Sequence, residues 1–185
     1  ERNGKLTYHS LSGLLPEAQR NFEDVWDIVF SGDDVFFRTN KVVFQYSDGK
    51  LITHTPGGEL TALFSTLQGL LLQQDLNQIL TFSNGKFQPF VQVPELKSAL
   101  TGYQQRTPDT LLLSSLKDGL FVLNGKNSFG RWVTAHDAML RNNRIYCSTS
   151  LPNGQWALGT SLEGLIVLDA KRRVFRHLTK KSGLQ

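Results

Sequence analysis

Apolar residues in this chain fall into runs of three or four, each closed by a glycine-type turn. The clearest unit is Leu151 to Leu168. Asn153-Gly154 opens it with a dipeptide that tolerates the left-handed region at both positions, as a tight hairpin turn requires. Gln155 to Thr160 is a short extended segment led by Trp156. Leu162-Glu163-Gly164 turns again, and Leu165 to Leu168 is apolar at every position. A short apolar run bounded by turns predicts a strand buried on both faces.

The turns recur at a fixed interval. Asn3-Gly4, Asp48-Gly49, Asn84-Gly85 and Asn124-Gly125 each lie between two apolar segments, and Asp169-Ala170 takes the same place last; the spacings are 45, 36, 40 and 45 residues. That is the period of a four-stranded propeller blade. Ser12-Gly13-Leu14 also returns as Ser182-Gly183-Leu184, 170 residues later. The chain therefore reads as one trailing outer strand followed by four repeats.

Within each repeat the second strand is predicted at 34–39, 69–74, 110–115 and 155–160, and the third at 42–46, 79–82, 120–123 and 165–168. The fourth is predicted at 51–55, 87–91, 129–134 and 174–179. The first, innermost strand is the least distinct, at 25–30, 62–65, 99–103 and 145–148. A four-stranded sheet with two apolar faces must stack against its neighbours. Phe36, Phe37, Phe44, Leu71, Leu72, Leu112, Leu113, Phe121, Trp156 and Ile166 are then expected between blades. Leu60 to Phe82 also fits an amphipathic helix; Gly69 and Asn84-Gly85 favour strands. The predicted fold class is all-β, a β-propeller of four-stranded antiparallel blades. About four blades are expected, cut from a larger, seven-bladed ring. The expected divisions are 1–16 (outer strand of a preceding blade), 17–58, 59–94, 95–134 and 135–185.

Composition narrows the function. The chain has 185 residues, 39% hydrophobic and 19% charged, with net charge +4. Basic residues are scattered apart from Lys171-Arg172-Arg173 and Lys180-Lys181, so the stripe that tracks nucleic-acid phosphates is missing and no nucleic-acid partner is expected. A single cysteine, Cys147, excludes an internal disulfide and a cysteine-pair zinc site. It is expected to be a small buried hydrophobe. No metal spacing, P-loop or dinucleotide motif is present, and no cofactor, metal or catalytic residue is expected. Of the four histidines, His9, His54 and His177 fall on or beside outer strands and are expected at the surface. His136-Asp137 could orient a base, but no nucleophile completes a relay.

Asn153 to Thr160 together with Gly164-Leu165 resembles a two-component regulator propeller repeat: an Asn-Gly turn, a Trp-led strand closed by Gly-Thr, then Gly-Leu and an apolar strand ending at Asp169. Ser12-Gly13-Leu14-Leu15-Pro16 and Ser182-Gly183-Leu184-Gln185 resemble the link between blades in that family, and Phe22 to Ile28 resembles the strand after it. The middle repeats match by period only. This resemblance implies the periplasmic sensor region of a hybrid two-component sensor histidine kinase, with the kinase outside this chain and the parent protein anchored in the inner membrane. It implies an oligosaccharide or similar small molecule as ligand, and a sensor homodimer. A protein-interaction scaffold and a propeller lyase are the alternatives.

Propellers bind ligands on loops at one end of the channel. Sugars need planar hydrogen-bonding groups and an aromatic platform, so Arg20, Trp26, Asn40, Asn77, Lys117 and Glu163 are the candidate ligand residues. An incomplete ring would expose blade faces and so self-associate.

Overall fold

Sixteen strands form among the described residues of the computed structural model, which are 7–125, 128–171 and 173–183. They fall into four consecutive sheets. The first blade contains β1 (Asp27–Ser31), β2 (Asp34–Arg38), β3 (Val43–Ser47) and β4 (Lys50–His54). The second has β5 (Leu60–Thr66), β6 (Gly69–Gln74), β7 (Gln78–Ser83) and β8 (Lys86–Gln92). The third has β9 (Leu100–Thr107), β10 (Thr110–Ser115), β11 (Gly119–Asn124) and β12 (Ser128–Arg131). The fourth has β13 (Ile145–Ser150), β14 (Trp156–Thr160), β15 (Leu165–Leu168) and β16 (Val174–Leu178). Every sheet is an antiparallel meander in chain order. These are β-propeller blades.

Local chemistry explains the hairpins. Asp48 and Gly49 have φ 49° and 75°, and Asn84 and Gly85 have φ 53° and 74°. Both pairs adopt the positive-φ geometry that matches strand twist. Gly125 has φ 57°; Asn3-Gly4 lies outside the described residues. Leu60 to Phe82 forms β5, β6 and most of β7, so the helical alternative is excluded.

Register decides which residues meet the next blade. In blade 1, Val29, Phe36 and Gln45 share one face, as do Asp27, Arg38 and Val43. Phe36 and Val43 from this face pack with Leu63, Leu70, Leu72 and Leu80 of blade 2. The far face of blade 2, with Ala62, Leu71 and Ile79, packs on Leu111, Leu113 and Phe121 of blade 3. Leu112 and Leu120 of blade 3 then meet Trp156, Leu158 and Ile166 of blade 4. All ten residues expected between blades are buried except Phe37, which is half-buried on the open side of blade 1.

Buried polar side chains latch one blade to the next. Arg38 donates to the Leu60 carbonyl at 2.7 Å and pairs with Asp27, whose carboxylate accepts the Leu63 N–H at 3.0 Å. Gln73 repeats this one blade on: its Oε1 accepts the Leu100 N–H at 2.7 Å, and its Nε2 donates to the Ser98 and Leu76 carbonyls. Each latch satisfies backbone groups where a strand starts and no ladder partner exists.

Some expectations need correction. Thr7 to Ser10 form no strand, and Leu11–Leu14 is a 3₁₀ turn; Lys5 and Leu6, the rest of the expected outer strand, lie outside the described residues. β12 stops at Arg131 because Thr134 turns the chain, its Oγ1 accepting the His136 N–H, into a six-residue helix α1 (Asp137–Asn142). Cys147 is exposed, because register turns it, with Thr149, to the face of blade 4 that packs on no other blade among the described residues. His54 is half-buried: Gln45 lies 2.9 Å from its Nε2, and its ring meets Phe82 and Phe87 edge-on. Among the described residues no helix is long and apolar enough to cross a membrane.

His54 makes stability depend on pH. Burial holds its pKa below the ordinary imidazole value. The folded state therefore takes up this proton less readily than the unfolded chain. Its contribution is fully present above the unfolded pKa of about 6.5 and is lost as pH falls below that value. Melting temperature is expected to drop on acidification through this window, and more steeply in the wild type than in His54→Gln. Parallel curves would remove His54 as the cause.

Candidate functional site

The turns between second and third strands share one end of the blades with the loops that lead into the next blade. At this end Asp75 accepts the Glu59 N–H at 2.8 Å. Asp118 accepts the Lys97 N–H at 2.9 Å and the Ser98 hydroxyl at 2.6 Å. Acidic residues here are engaged in holding loops.

The six candidates occupy this end and the lead-in segment but do not converge. Arg20 donates from Nε to the Leu15 carbonyl at 2.9 Å and from Nη2 to that of Gly13. Trp26 lies just before β1 and is 60% exposed. Asn40 donates to Glu23 at 2.9 Å and shares a shallow recess with Lys41, Gly58 and Glu59. Asn77 and Lys117 are exposed in their turns. Glu163 accepts from or pairs with His177 through its backbone carbonyl at 2.7 Å and its carboxylate at 3.4 Å. His136 and Asp137 sit at the start of α1, where the Asp137 carboxylate pairs with Arg131 and Arg141, each at 3.2 Å.

A different feature lies on the inner edge. The first strands of blades 2, 3 and 4 line a recess of about 500 Å³ with Phe64, Thr101, Tyr103, Gln105, Ser148, Thr149 and Ser150. Phe64 and Tyr103 place their rings 5.4 Å apart at 56°. The Tyr103 hydroxyl donates to the Ser65 carbonyl, and burial raises its pKa, so it stays a neutral phenol. Thr101, Ser114 and Ser148 form a chain of hydroxyls with O···O distances of 3.1 and 3.0 Å. Gly102 lets the blades approach this closely: a Cβ there would stand 2.2 Å from the Ser148 Oγ. Among the described residues the lining carries no charged side chain. Chemically it offers aromatic surface with hydroxyl and amide groups, which suits an uncharged, polyhydroxylated ligand.

The sequence did carry a signal for this recess. Thr101, Tyr103 and Gln105 alternate along β9, and Ser148-Thr149-Ser150 is a hydroxyl run in an innermost strand. A bulge hides the alternation. Thr61, Thr101 and Tyr146 are each skipped in the register at the second position of β5, β9 and β13. One extra residue exchanges the faces of everything after it.

No protein-family model and no curated protein matches the sequence. Solved structures do match in fold. The extracellular domain of BT3049 from B. thetaiotaomicron, assigned to a hybrid two-component system, superposes over 92% of this chain with a TM-score of 0.71 and 13% identity. The extracellular domain of BT4673 from B. thetaiotaomicron, assigned to a one-component system, covers 84% with a TM-score of 0.62 and 18% identity. YCF48 bound to D1 peptide covers 72% with a TM-score of 0.55 and 10% identity. The chain spans 24%, 22% and 46% of these proteins' own lengths, respectively. At such identities the likeness concerns the fold: four consecutive blades of a β-propeller.

Proposed function

We propose that the four blades belong to an extracytoplasmic sensor propeller of two-component signalling. In this reading they recognise a neutral oligosaccharide or similar polyhydroxylated small molecule, and a kinase outside these 185 residues reads the outcome. The chain binds and does not catalyse. The parent protein is anchored in the inner membrane, and the domain faces the periplasm. The observation that carries this reading is the uncharged recess between the inner strands, with its aromatic pair and hydroxyl chain. The fold shared with two extracellular domains of signalling systems supports it. The Arg-paired Asp137 argues against the lyase alternative, since its carboxylate is committed to two guanidinium groups.

Calorimetric titration with neutral and charged oligosaccharides tests this. Heat is expected with a neutral glycan and is lost in Ser150→Trp, which fills the recess from an exposed position and leaves the melting temperature unchanged. Absence of binding across the panel, or binding that Ser150→Trp leaves intact, would overturn the assignment.

A further inference from the structure

The hydroxyls of Thr101, Ser114 and Ser148 meet where blades 3 and 4 touch, and the protons they hold fix what two of them show to the recess. Ser114 of β10 is fully buried. Its Oγ lies 3.1 Å from the Thr101 Oγ1, 3.0 Å from the Ser148 Oγ and 3.3 Å from the Gly102 carbonyl oxygen. Thr101, the extra residue of the β9 bulge, and Ser148 of β13 are half-buried and line the recess, with Ser114 behind them.

A serine hydroxyl has one proton and two lone pairs. The Gly102 carbonyl only accepts, so it takes the Ser114 proton. Both lone pairs of Ser114 are then left for the protons of Thr101 and Ser148. No other arrangement makes all three contacts hydrogen bonds. If Ser114 donated to either neighbour instead, its contact with the Gly102 carbonyl would hold no proton, inside a joint where an unmade bond is costly. Among the described residues Thr101 and Ser148 have no partner but Ser114 for these hydroxyls.

The other committed groups of the recess point the same way. Tyr103 donates its proton to the Ser65 carbonyl and keeps a lone pair. Gln105 spends its amide N–H groups on the Thr107 and Thr110 carbonyls, at 2.7 and 3.4 Å, and its oxygen on the Leu67 N–H at 3.1 Å. Thr149 and Ser150, exposed at the edge, turn either way.

We infer that Ser114 turns the Thr101 and Ser148 protons inward, so that the recess holds a ligand through the ligand's hydrogen-bond donors. On the reading that this recess is the sensor's ligand site, the ligand must bring hydroxyl or N–H groups proton first to Thr101, Tyr103 and Ser148. Ether, ester and carboxylate oxygens are refused there, because lone pair would meet lone pair and a half-buried acceptor would be left unpaired. Ser114 touches no ligand; it is a positioning residue that acts through its two neighbours.

Neutron diffraction from deuterium-exchanged crystals of the 185-residue chain reads the orientation without any ligand. The Thr101 and Ser148 deuterons are expected on the lines to the Ser114 Oγ, and the Ser114 deuteron on the line to the Gly102 carbonyl. A Thr101 or Ser148 deuteron aimed into the recess would overturn the inference, whatever binds. Calorimetric titration with maltotriose, cellotriose and xylotriose, each beside its per-O-methylated form, reads the consequence. Methylation removes every donor and keeps every oxygen. A trisaccharide that binds is expected to be preferred over its methylated form by about tenfold or more. Ser114→Ala releases both rim protons toward the recess, so this preference should shrink several-fold. Neither the bulk of the methyl groups nor a merely structural role for Ser114 would move it. Equal binding of the two forms by the wild type, or an unchanged preference in a folded Ser114→Ala, would also overturn the inference. If Ser114→Ala loses its circular dichroism, the deuterons and the wild-type preference decide. Deuterons in the expected places with no heat from any sugar would sink the sensor reading and leave the hydroxyl orientation upheld.

Discussion

Replacing Trp156 by alanine is expected to cost about 3–5 kcal/mol, the range for deleting a large buried aromatic. Trp156 is 1% exposed and sits where blades 3 and 4 meet, with its ring 6.1 Å from that of Trp132. Leu112 and Leu120 belong to the same cluster as Leu158 and Ile166, so the cavity would open in the joint between blades. Small residues surround this joint at Gly102 and Ser114, and the strands there are already at closest approach. They have little room to collapse into the hole. Among the described residues the indole Nε1 has no hydrogen-bond partner. Trp156→Phe therefore forfeits no hydrogen bond and should cost much less than Trp156→Ala. Urea denaturation of the two variants checks the order; equal losses would mean that the indole nitrogen matters more than the packing.

Arg38→Met is expected to cost about 2–3 kcal/mol, because it takes the donor from a buried carbonyl and from a half-buried carboxylate. The Arg38 side chain is 6% exposed and that of Asp27 30%. Its guanidinium satisfies the Leu60 carbonyl in addition to the carboxylate, so two acceptors lose their donor at once. Met keeps the volume, which isolates the charge. The double variant Asp27→Asn with Arg38→Met should be more stable than Arg38→Met alone, since the stranded carboxylate is gone. A double-mutant cycle in urea measures this coupling. Additive losses would show that the two residues act independently.

The parts of the fold legible in the sequence are those set by local chemistry. Asp48-Gly49 and Asn84-Gly85 announce hairpins because positive φ is a property of those residues. β10 and β11 announce themselves as Leu111 to Leu113 and Leu120 to Leu123, since a strand between two stacked faces must be apolar throughout. The first strands are less legible. A bulge near each of three starts breaks the two-residue period, and one edge faces a channel that needs no apolar cover. His54 and Cys147 illustrate the two directions of error. An outer strand can still lie under a neighbour's aromatic rings, and an inner strand of a terminal blade can still face solvent.

The recess was harder to see for a related reason. Phe64, Tyr103 and Ser148 come from three blades and meet only after the blades stack. Sequence reasoning chose turn residues at one end, where polar side chains are common. The structure shows Arg20 and Asn40 spending their hydrogen bonds on the lead-in segment. The latches were hidden likewise, because Arg38 and Gln73 bond to backbone groups 22 and 27 residues away.

A cross-link between blades 3 and 4 is the most direct test of radial stacking with first strands innermost. Ser114 of blade 3 and Ser148 of blade 4 hold their hydroxyl oxygens 3.0 Å apart, so sulfur atoms in their places come within reach of a disulfide bond. With Cys147→Ser removing the native thiol, the variant Ser114→Cys with Ser148→Cys is expected to lose both free thiols under mild oxidation while remaining a single chain on a denaturing gel. Two thiols that stay free, or that join only between chains, would contradict the arrangement of the blades.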